Sequence, residues 1–522
     1  MAKVLFINPV VREEDEPRHV PYGIALLASI AMDKGHLVQV YDHNAWRRGP
    51  DLVREVCEAD AWDVIALGGI TTAYASIKEI VGIARTVCPK AVIVLGGGVI
   101  TSLPREMMTW LPQVDVGVVG EAFVTFPEIL QMIDEGLRDW PKIDGTISRR
   151  TDGKLVFSKP RTLIEDLDSL PYPAWDLFPL EEIYFPNSQV LYSEEGMLAS
   201  RRLDINASYG CSLICRYCYH LGIAGDMRYV KRNGEDNVTF DEPGNYTRTI
   251  RYHSPEYIVR MARHMYDKYQ VNFIGFLDEN LMTMDKFSGR KWMKEICRLW
   301  KDYGLQPSYL AEGVERGENW TGVHWSGTSH ATLCTEEILH IMRQAGCSHL
   351  VYGYESFSDQ VMKTVGKGAT PKTNIRSFFW TLKAGIRPIP NQIIGFPTED
   401  FQSIRDNMDA WEQLGIVVKP FFATPYPGSE WFTVNRGSIE RQYSGDLEKF
   451  ILDLGDATRI TSVICRNFNA VELLGLREMM INFDRKRINE YEVVWRQNHG
   501  IPDGMPSTLA APAPARALQR AS

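Results

Sequence analysis

Three cysteines fall within eight residues, Cys211, Cys215 and Cys218, in the spacing C-x3-C-x2-C, and no fourth follows nearby. Thiolates are soft ligands that suit iron–sulfur clusters, and an ordinary four-iron cluster takes four of them. Three thiolates leave one iron without a protein ligand, much as a catalytic zinc keeps a position open for its substrate. An open iron can chelate a small molecule and pass it an electron. The competing reading is a zinc site completed by His220, two residues after Cys218. The uneven spacing, with Tyr217 just before the last cysteine, fits zinc poorly.

These cysteines need a scaffold, and two βα-repeating stretches supply it. Over residues 1–140, apolar runs starting at Val4, Val38, Val64, Val92 and Val116 alternate with amphipathic stretches such as 23–33 and 75–87. Such runs read as buried parallel strands, and five βα units predict a doubly wound, flavodoxin-like α/β domain. Ligands of such sheets lie beyond the carboxyl ends of the strands. The segments there are Asn8-Pro9-Val10, Gly68-Gly69-Ile70-Thr71-Thr72, Gly96-Gly97-Gly98 and Gly120-Glu121-Ala122. Glycine lets backbone approach a large flat ligand and frees N–H groups for its polar substituents. Asn8, Gly69, Thr71, Thr72, Gly97, Gly98, Gly120 and Glu121 are therefore the candidate contacts. The first βα turn lacks the G-x-G-x-x-G fingerprint, which argues against a nicotinamide or flavin dinucleotide.

Residues 141–195 are punctuated by proline and read as a linker. The βα rhythm returns over 196–430, with strand-like runs at 202–207, 271–277, 324–331, 349–356, 390–397 and 417–424. Helices such as 336–344, closed by Ala345-Gly346, lie between them. The cysteine segment directly follows the first run. Residues 431–505 are helical in pattern, and the alanine- and proline-rich residues 506–522 are expected to be disordered.

A chain of 522 residues exceeds one core, so two or three domains are expected. A net charge of −9 argues against general nucleic-acid or anionic-membrane binding. No apolar run approaches the length of about eighteen residues that a membrane span needs. The amino terminus reads as an immediate buried strand and lacks the features of a signal peptide. Cys57, Cys88, Cys297, Cys334, Cys347 and Cys465 are scattered, which suits reduced thiols in the cytoplasm.

A flavodoxin-like domain with these loops, set before a C-x3-C-x2-C segment, resembles the cobalamin-binding radical S-adenosylmethionine enzymes over about residues 1–430. The resemblance implies cobalamin, as methylcobalamin, on the first domain. On the second it implies a partial (βα)6 barrel whose [4Fe–4S] cluster, on Cys211, Cys215 and Cys218, chelates S-adenosylmethionine. Chemistry is then expected at the carboxyl ends of the barrel strands. The implied reaction is reductive cleavage to methionine and a 5′-deoxyadenosyl radical. Methyl transfer from cobalamin to the substrate radical follows, and a second S-adenosylmethionine restores the methyl group.

Carried over residue by residue, Asp278 and Glu279 fall where such enzymes receive the methionyl amino group, for which carboxylates are the right types. Glu355 matches a glutamate near the ribose hydroxyls. Ser329 falls near the methionyl carboxylate, where many relatives carry arginine. Gly395 opens Gly395-Phe396-Pro397-Thr398-Glu399, similar to the Gly-x-Pro-x-Glu turn near the adenine, and Tyr217 is expected on the same cofactor. The Asp-x-His-x-x-Gly segment that places histidine on cobalt in many other cobalamin proteins is missing. Asp42-His43-Asn44 has its histidine one place early and after the wrong strand. No histidine is expected on cobalt, and His43 is expected at the surface or in a loop.

Residues 222–251 form a polar insert carrying Arg228, Lys231, Arg232, Arg248 and Arg251. It reads either as a solvated loop or as a lid whose arginines hold a phosphonate, phosphinate or carboxylate. The helices beyond 430 are expected to close the substrate side. The resemblance thus implies a methyltransferase acting on carbon, or on a phosphinate phosphorus as in phosphinothricin-type antibiotic biosynthesis. Its partners would be a small, anionic substrate and an electron donor such as flavodoxin or ferredoxin. The alternatives are a non-methylating ring-forming or ring-contracting enzyme of the magnesium-protoporphyrin ester cyclase kind, and a non-catalytic cobalamin or iron–sulfur sensor.

Overall fold

The computed structural model describes residues 1–213, 215–219, 227–232, 235–240, 250–315, 317 and 320–502, with backbone alone for 227–232 and 235–240. The expected tail at 506–522 and His220 lie outside the described residues. In the first sheet, β1 (Lys3–Asn8), β2 (Leu37–Asp42), β3 (Val64–Gly68), β4 (Val92–Gly96) and β5 (Val116–Val118) run parallel in the order β2-β1-β3-β4-β5. Successive side chains of a strand alternate between faces. Val4 and Phe6 therefore pack with Phe126, Ile129 and Leu130 of helix Thr125–Asp134, and Leu5 and Ile7 with Ile77 and Val81 of helix Tyr74–Val87. Both faces are covered, which is why the strands read as continuous apolar runs. The order reverses between β1 and β3, and at that switch point a crevice opens beyond the strand ends.

Two further strands, β6 (Thr146–Arg149) and β7 (Leu155–Phe157), add antiparallel to the β5 edge. The first sheet thus runs past residue 140 into the expected linker. Polar Thr146 and Ser148 are buried there, Thr146 hydrogen-bonded to Ser158 and the Ile143 carbonyl, so no apolar run marked the strand. The rest of the connector buries Trp175, Phe178 and Tyr184 between the domains.

The second sheet has six parallel strands in sequence order. They are β8 (Arg202–Ile205), β9 (Phe273–Phe276), β10 (His324–Ser329), β11 (Cys347–Glu355), β12 (Arg387–Ile394) and β13 (Phe421–Phe422). The open (βα)6 half-barrel is as expected, although the sixth strand keeps only two residues. Side-chain caps start its helices where the sequence signals them: Ser254 accepts from the Tyr257 N–H, and Thr335 from the Ile338 N–H. The register between β11 and β12 slips between Gly353 and Glu355, and Glu355 adopts a left-handed φ of +60°. Such irregularities re-aim a side chain next to a site.

Beyond the barrel, helices Glu430–Gln442 and Leu447–Asp453 insert Phe432, Ile439, Phe450 and Ile451 into the core of the first domain. Arg436–Glu106 (2.8 Å) and Lys78–Glu448 (2.6 Å) pair across that contact. Helices Ala470–Ile481 and Arg485–His499 pack instead on the barrel, Trp495 meeting Phe401 edge-on. The carboxyl-terminal segment straps both domains together. Among the described residues no helix is long and apolar enough to cross a membrane.

Two adjoining cavities form the candidate active site

A cavity of 370 Å³ at the carboxyl ends of the barrel strands is lined by Cys211, Cys215 and Cys218 together with Tyr217, Glu279, Ser329 and Glu355. Backbone bonds pin the cysteine loop: Arg216 N–H donates to Val365 O, Cys218 N–H to Cys215 O, and Trp431 N–H to Arg216 O. Among the described residues no three Cys, His, Asp or Glu side chains converge as ligands of one ion do. A four-iron cluster sets each thiolate on its own iron, so its ligands need not converge on one point. The donor set fits such a cluster, and Cys211, Cys215 and Cys218 would hold it.

Glu355 is the best-fixed group in this cavity. It accepts from the Tyr217 hydroxyl at 2.6 Å and from Lys367 Nζ at 2.6 Å, while Lys367 also donates to Gly353 O. Burial pulls the Lys367 pKa down, but Glu355 and the sulfurs of Cys215 and Cys218 outweigh it and raise the pKa. Burial, then Glu355 and the same two sulfurs, push the Tyr217 phenol far up. Carboxylate, ammonium, phenol and cysteines thus share one electrostatic neighbourhood. Burial lowers the His330 imidazole to about 3, so it is neutral, and its buried Nε2 has no hydrogen-bond partner. Phe421, Phe422, Tyr426 and Trp431 add aromatic rings to the lining, Trp431 beside Tyr217 and Tyr426 beside Tyr219.

Two residues expected on S-adenosylmethionine lie off this cavity. Asp278 does not line the cavity: it is buried behind it, accepting from the Ala207 N–H at 3.1 Å and from the Ser208 hydroxyl. Burial raises its carboxyl to about 7. Past the strand the chain bends at Glu279, and Glu279 and Asn280 both take the cavity side. Gly395 also lies off the cavity. Its N–H is taken by Glu399 Oε2 at 2.5 Å, and a Cβ there would meet Leu473 Cδ1 at 3.1 Å. The Gly-x-Pro-x-Glu turn is closed on itself by its own glutamate, and Asn391 and Ile393 of β12 face the cavity instead. Sequence reasoning missed Lys367, His330 and Trp431. The only local signals were a lysine between Gly366 and Gly368 and the helix start after Ser429.

A second cavity, of 560 Å³, opens at the switch point of the first sheet. Asn8, Gly69, Gly97, Gly98, Gly120 and Glu121 line it as expected, joined by Tyr22, Phe123, Tyr209 and Arg251. Thr71 and Thr72 do not, because the chain turns from Thr71 into a short 3-10 turn that leads into the next helix. The glycine loops interlock: a Cβ on Gly97, whose φ is +81°, would lie 2.8 Å from both N and O of Gly69. Asn8 donates to Asp42 Oδ1 at 2.7 Å, and Tyr184 from the connector donates to Oδ2 at 2.5 Å. His43, expected at the surface, is buried where it starts helix His43–Trp46, and it does not line the cavity.

Of the basic insert, the side chains of Arg228, Lys231, Arg232 and Arg248 lie outside the described residues. Arg251 is not part of a lid; it lies in the wall of the second cavity, ion-paired with Glu121. The cysteine segment touches both cavities: Tyr209 lines the larger and Cys211, two residues on, the smaller.

Residues 9–130 match a family model described as the B12 binding domain, and residues 205–410 match the radical SAM superfamily. An uncharacterized methyltransferase of Pyrococcus horikoshii, PH0819, is 25% identical over 410 residues, covering 78% of this chain and 77% of the relative. An anaerobic magnesium-protoporphyrin IX monomethyl ester cyclase of Synechocystis sp. is 23% identical over 427 residues, covering 79% of this chain and 72% of the cyclase. Among solved structures, the radical S-adenosylmethionine methyltransferase TsrM of Kitasatospora setae, with tryptophan and an S-adenosylmethionine analogue bound, shares the fold. It superposes with a TM-score of 0.63 at 16% identity, over 84% of this chain and 77% of that one.

Proposed function

We propose, from the premise that this chain belongs to the cobalamin-binding radical S-adenosylmethionine enzymes, that it transfers a methyl group to an unactivated carbon of a small biosynthetic substrate. The observation that carries the reading is that one short segment lines both cavities, the larger through Tyr209 and the smaller through Cys211. When bound, the [4Fe–4S] cluster and S-adenosylmethionine supply a radical able to cleave carbon–hydrogen bonds, and methylcobalamin supplies the methyl group. The chain's own residues bind, orient and exclude.

Cys211, Cys215 and Cys218 hold the cluster. Glu279 and Ser329 receive the methionyl end of S-adenosylmethionine, and Glu355, with Tyr217 at its carboxylate, receives the ribose. Tyr217 and Lys367 both donate to Oε1 of Glu355, so the carboxylate is held in place before any ligand arrives. Asn8, Gly69, Gly97, Gly98, Gly120 and Glu121 cradle cobalamin, mostly through backbone. Phe421, Phe422, Tyr426 and Trp431 keep water from the reacting centre.

The aromatic lining favours a carbon acceptor over a phosphinate. The phosphinothricin-type reading drew on the insert's arginines, and Arg251 is already engaged by Glu121. Of the cations lining the smaller cavity among the described residues, Lys367 is likewise taken by Glu355. A flavodoxin or ferredoxin would deliver the electron.

A second reading, a non-methylating ring-forming enzyme, draws on the similarity to the ester cyclase. Anaerobic incubation with both cofactors, a reductant and candidate substrates, followed by mass analysis, decides between them. A product heavier by a methyl group, together with S-adenosylhomocysteine, is the expected outcome. 5′-Deoxyadenosine with an altered but unmethylated product selects the second reading, and absence of S-adenosylmethionine cleavage by the reduced protein would leave only a sensor.

A further inference from the structure

Arg251 joins three segments of the molecule. Its backbone pairs antiparallel with Tyr209, two residues before Cys211. Its side chain reaches Glu121 on the loop after β5, Nη2 donating to Oε2 at 2.5 Å and Nη1 to Oε1 at 3.3 Å. Nη1 also donates to the Ile164 carbonyl of the connector at 2.6 Å, and the Ile164 N–H donates to Glu121 at 3.4 Å. The guanidinium stands 5.8 Å from the centre of the Tyr209 ring, and Phe123 meets that ring edge-on at 5.4 Å. Arg251, Glu121, Tyr209 and Phe123 all line the 560 Å³ cavity.

Two features set this pair apart from a structural one. Both side chains are only about a tenth exposed, at 9% and 10%, so water and salt screen them little. A buried pair adds little net stability over apolar packing, whereas its geometry can fix one arrangement of the segments it joins. In addition, Arg251 Nε is buried without a hydrogen-bond partner, a donor left over at the cavity wall. A ligand entering the cavity meets all four residues at once, and the strand they hold is the strand that leads to the cysteines.

We propose that Arg251, through Glu121, is a positioning residue that couples occupancy of the larger cavity to the backbone carrying Cys211. The inference rests on reading that cavity as the cobalamin site. By linkage the coupling is reciprocal: an ordered cysteine loop also tightens the cobalamin cavity. The pair thereby sets the cobalamin platform against the radical-generating platform, without touching the reacting atoms.

Amide hydrogen exchange of the full-length protein, with and without saturating hydroxocobalamin, reads both ends of the link. In the wild type, hydroxocobalamin is expected to slow exchange in loops 68–72 and 96–99, and also over 208–211 by roughly fivefold or more. In Arg251→Gln and Glu121→Gln, each titrated with hydroxocobalamin to its own saturation so that weaker binding is offset, the slowing over 208–211 is expected to disappear while that in the glycine loops is recovered. Arg251→Lys, which keeps the charge and loses the two-pronged contact, is expected to retain part of it. Slowing over 208–211 that survives in both neutral variants overturns the proposal, and so does its absence in the wild type when the glycine loops are protected. Absence of any protection in the wild type instead overturns the cobalamin reading. Should Arg251→Gln lack a cooperative thermal transition, Glu121→Gln, nearly isosteric with the native residue, decides the matter by the same exchange measurement.

Discussion

The two cavities are built from opposite materials. At its strand ends the larger is walled by backbone, with Gly68, Gly69, Gly96, Gly97, Gly98 and Gly120 brought together by three strands, and the Arg251–Glu121 ion pair lines it as well. The smaller is walled by side chains that titrate or could ligate: three cysteines, Glu279, Glu355, Lys367 and His330. A backbone wall recognises shape and offers N–H groups, so it responds to added volume. A wall of charges responds to the removal of one charge, since each is held by its partners in a low dielectric. Substitutions can therefore be chosen to damage one cavity by a mechanism to which the other is indifferent.

The largest expected effect is all-or-none. Replacing Cys211, Cys215 and Cys218 together by alanine removes cluster absorbance and reductive cleavage of S-adenosylmethionine, while cobalamin still binds the separate cavity. Cleavage retained in that variant would falsify the cluster assignment. Next in size is Glu355→Gln, which leaves the buried Lys367 ammonium without its carboxylate. Removing one partner of a buried pair costs about 3 kcal/mol or more. Denaturant unfolding measures it, and a loss below about 1 kcal/mol would mean that the nearby sulfurs alone suffice to hold the ammonium.

Gly97→Ala tests the other wall. Its Cβ would collide with Gly69 backbone at 2.8 Å, and its φ of +81° is one that side chains rarely adopt. Local strain of this kind costs about 1–3 kcal/mol, and cobalamin affinity is expected to fall with it. Gly96→Ala is the control, since nothing stands within 4 Å of its added Cβ. Its stability should change by no more than about 0.5 kcal/mol, leaving any loss of cobalamin affinity as a direct readout of volume in the cavity. Equal stability losses at the two positions would remove the distinction between loop–loop packing and ligand approach.

What was legible in the sequence follows the same division. The glycine loops could be read because a buried parallel strand announces itself as an apolar run, and the residue after it is then fixed in space. Cys211, Cys215 and Cys218 could be read from spacing alone. Asp278 and Glu279 could not be separated, because the direction of an extended residue at a strand end depends on where the strand stops. β9 ends at Phe276, and the bend that follows at Glu279 turns Glu279 and Asn280 to the cavity while Asp278 stays in the fold. β6 was hidden because its buried positions include polar Thr146 and Ser148, and Thr146 is satisfied by Ser158 and by the Trp140 and Ile143 carbonyls through hydrogen bonds. Arg251 was grouped with its insert by composition, whereas long-range pairing with Tyr209 and Glu121 decides its place. Lys367 and Trp431 come from loops and a helix start far along the chain, and only tertiary packing delivers them.

The smallest expected effect sharpens the comparison from behind the charged wall. Asp278 is a carboxylate beside the smaller cavity that belongs to the fold, so its proton should register in stability. Burial raises its pKa in the folded state from 3.8 to about 7, against the pull of Ser208 and Ala207. Between those values the folded protein holds a proton that the unfolded chain has released, so stability falls as pH rises through the window and levels off above it. Between pH 6 and 7.5 the fall from this one group is about 1 kcal/mol. Glu399, also raised to about 7 by burial, adds a slope of the same sign, so the measurement must be a difference. Unfolding free energies of the wild type minus those of Asp278→Asn should therefore decline across that range, since the amide cannot titrate. A flat difference would mean that Asp278 is ionised throughout, which in turn would require a cation or an opening toward the cavity beside it. A carboxylate so exposed would be available to a ligand, and the assignment of the methionyl contact to Glu279 alone would have to be given up.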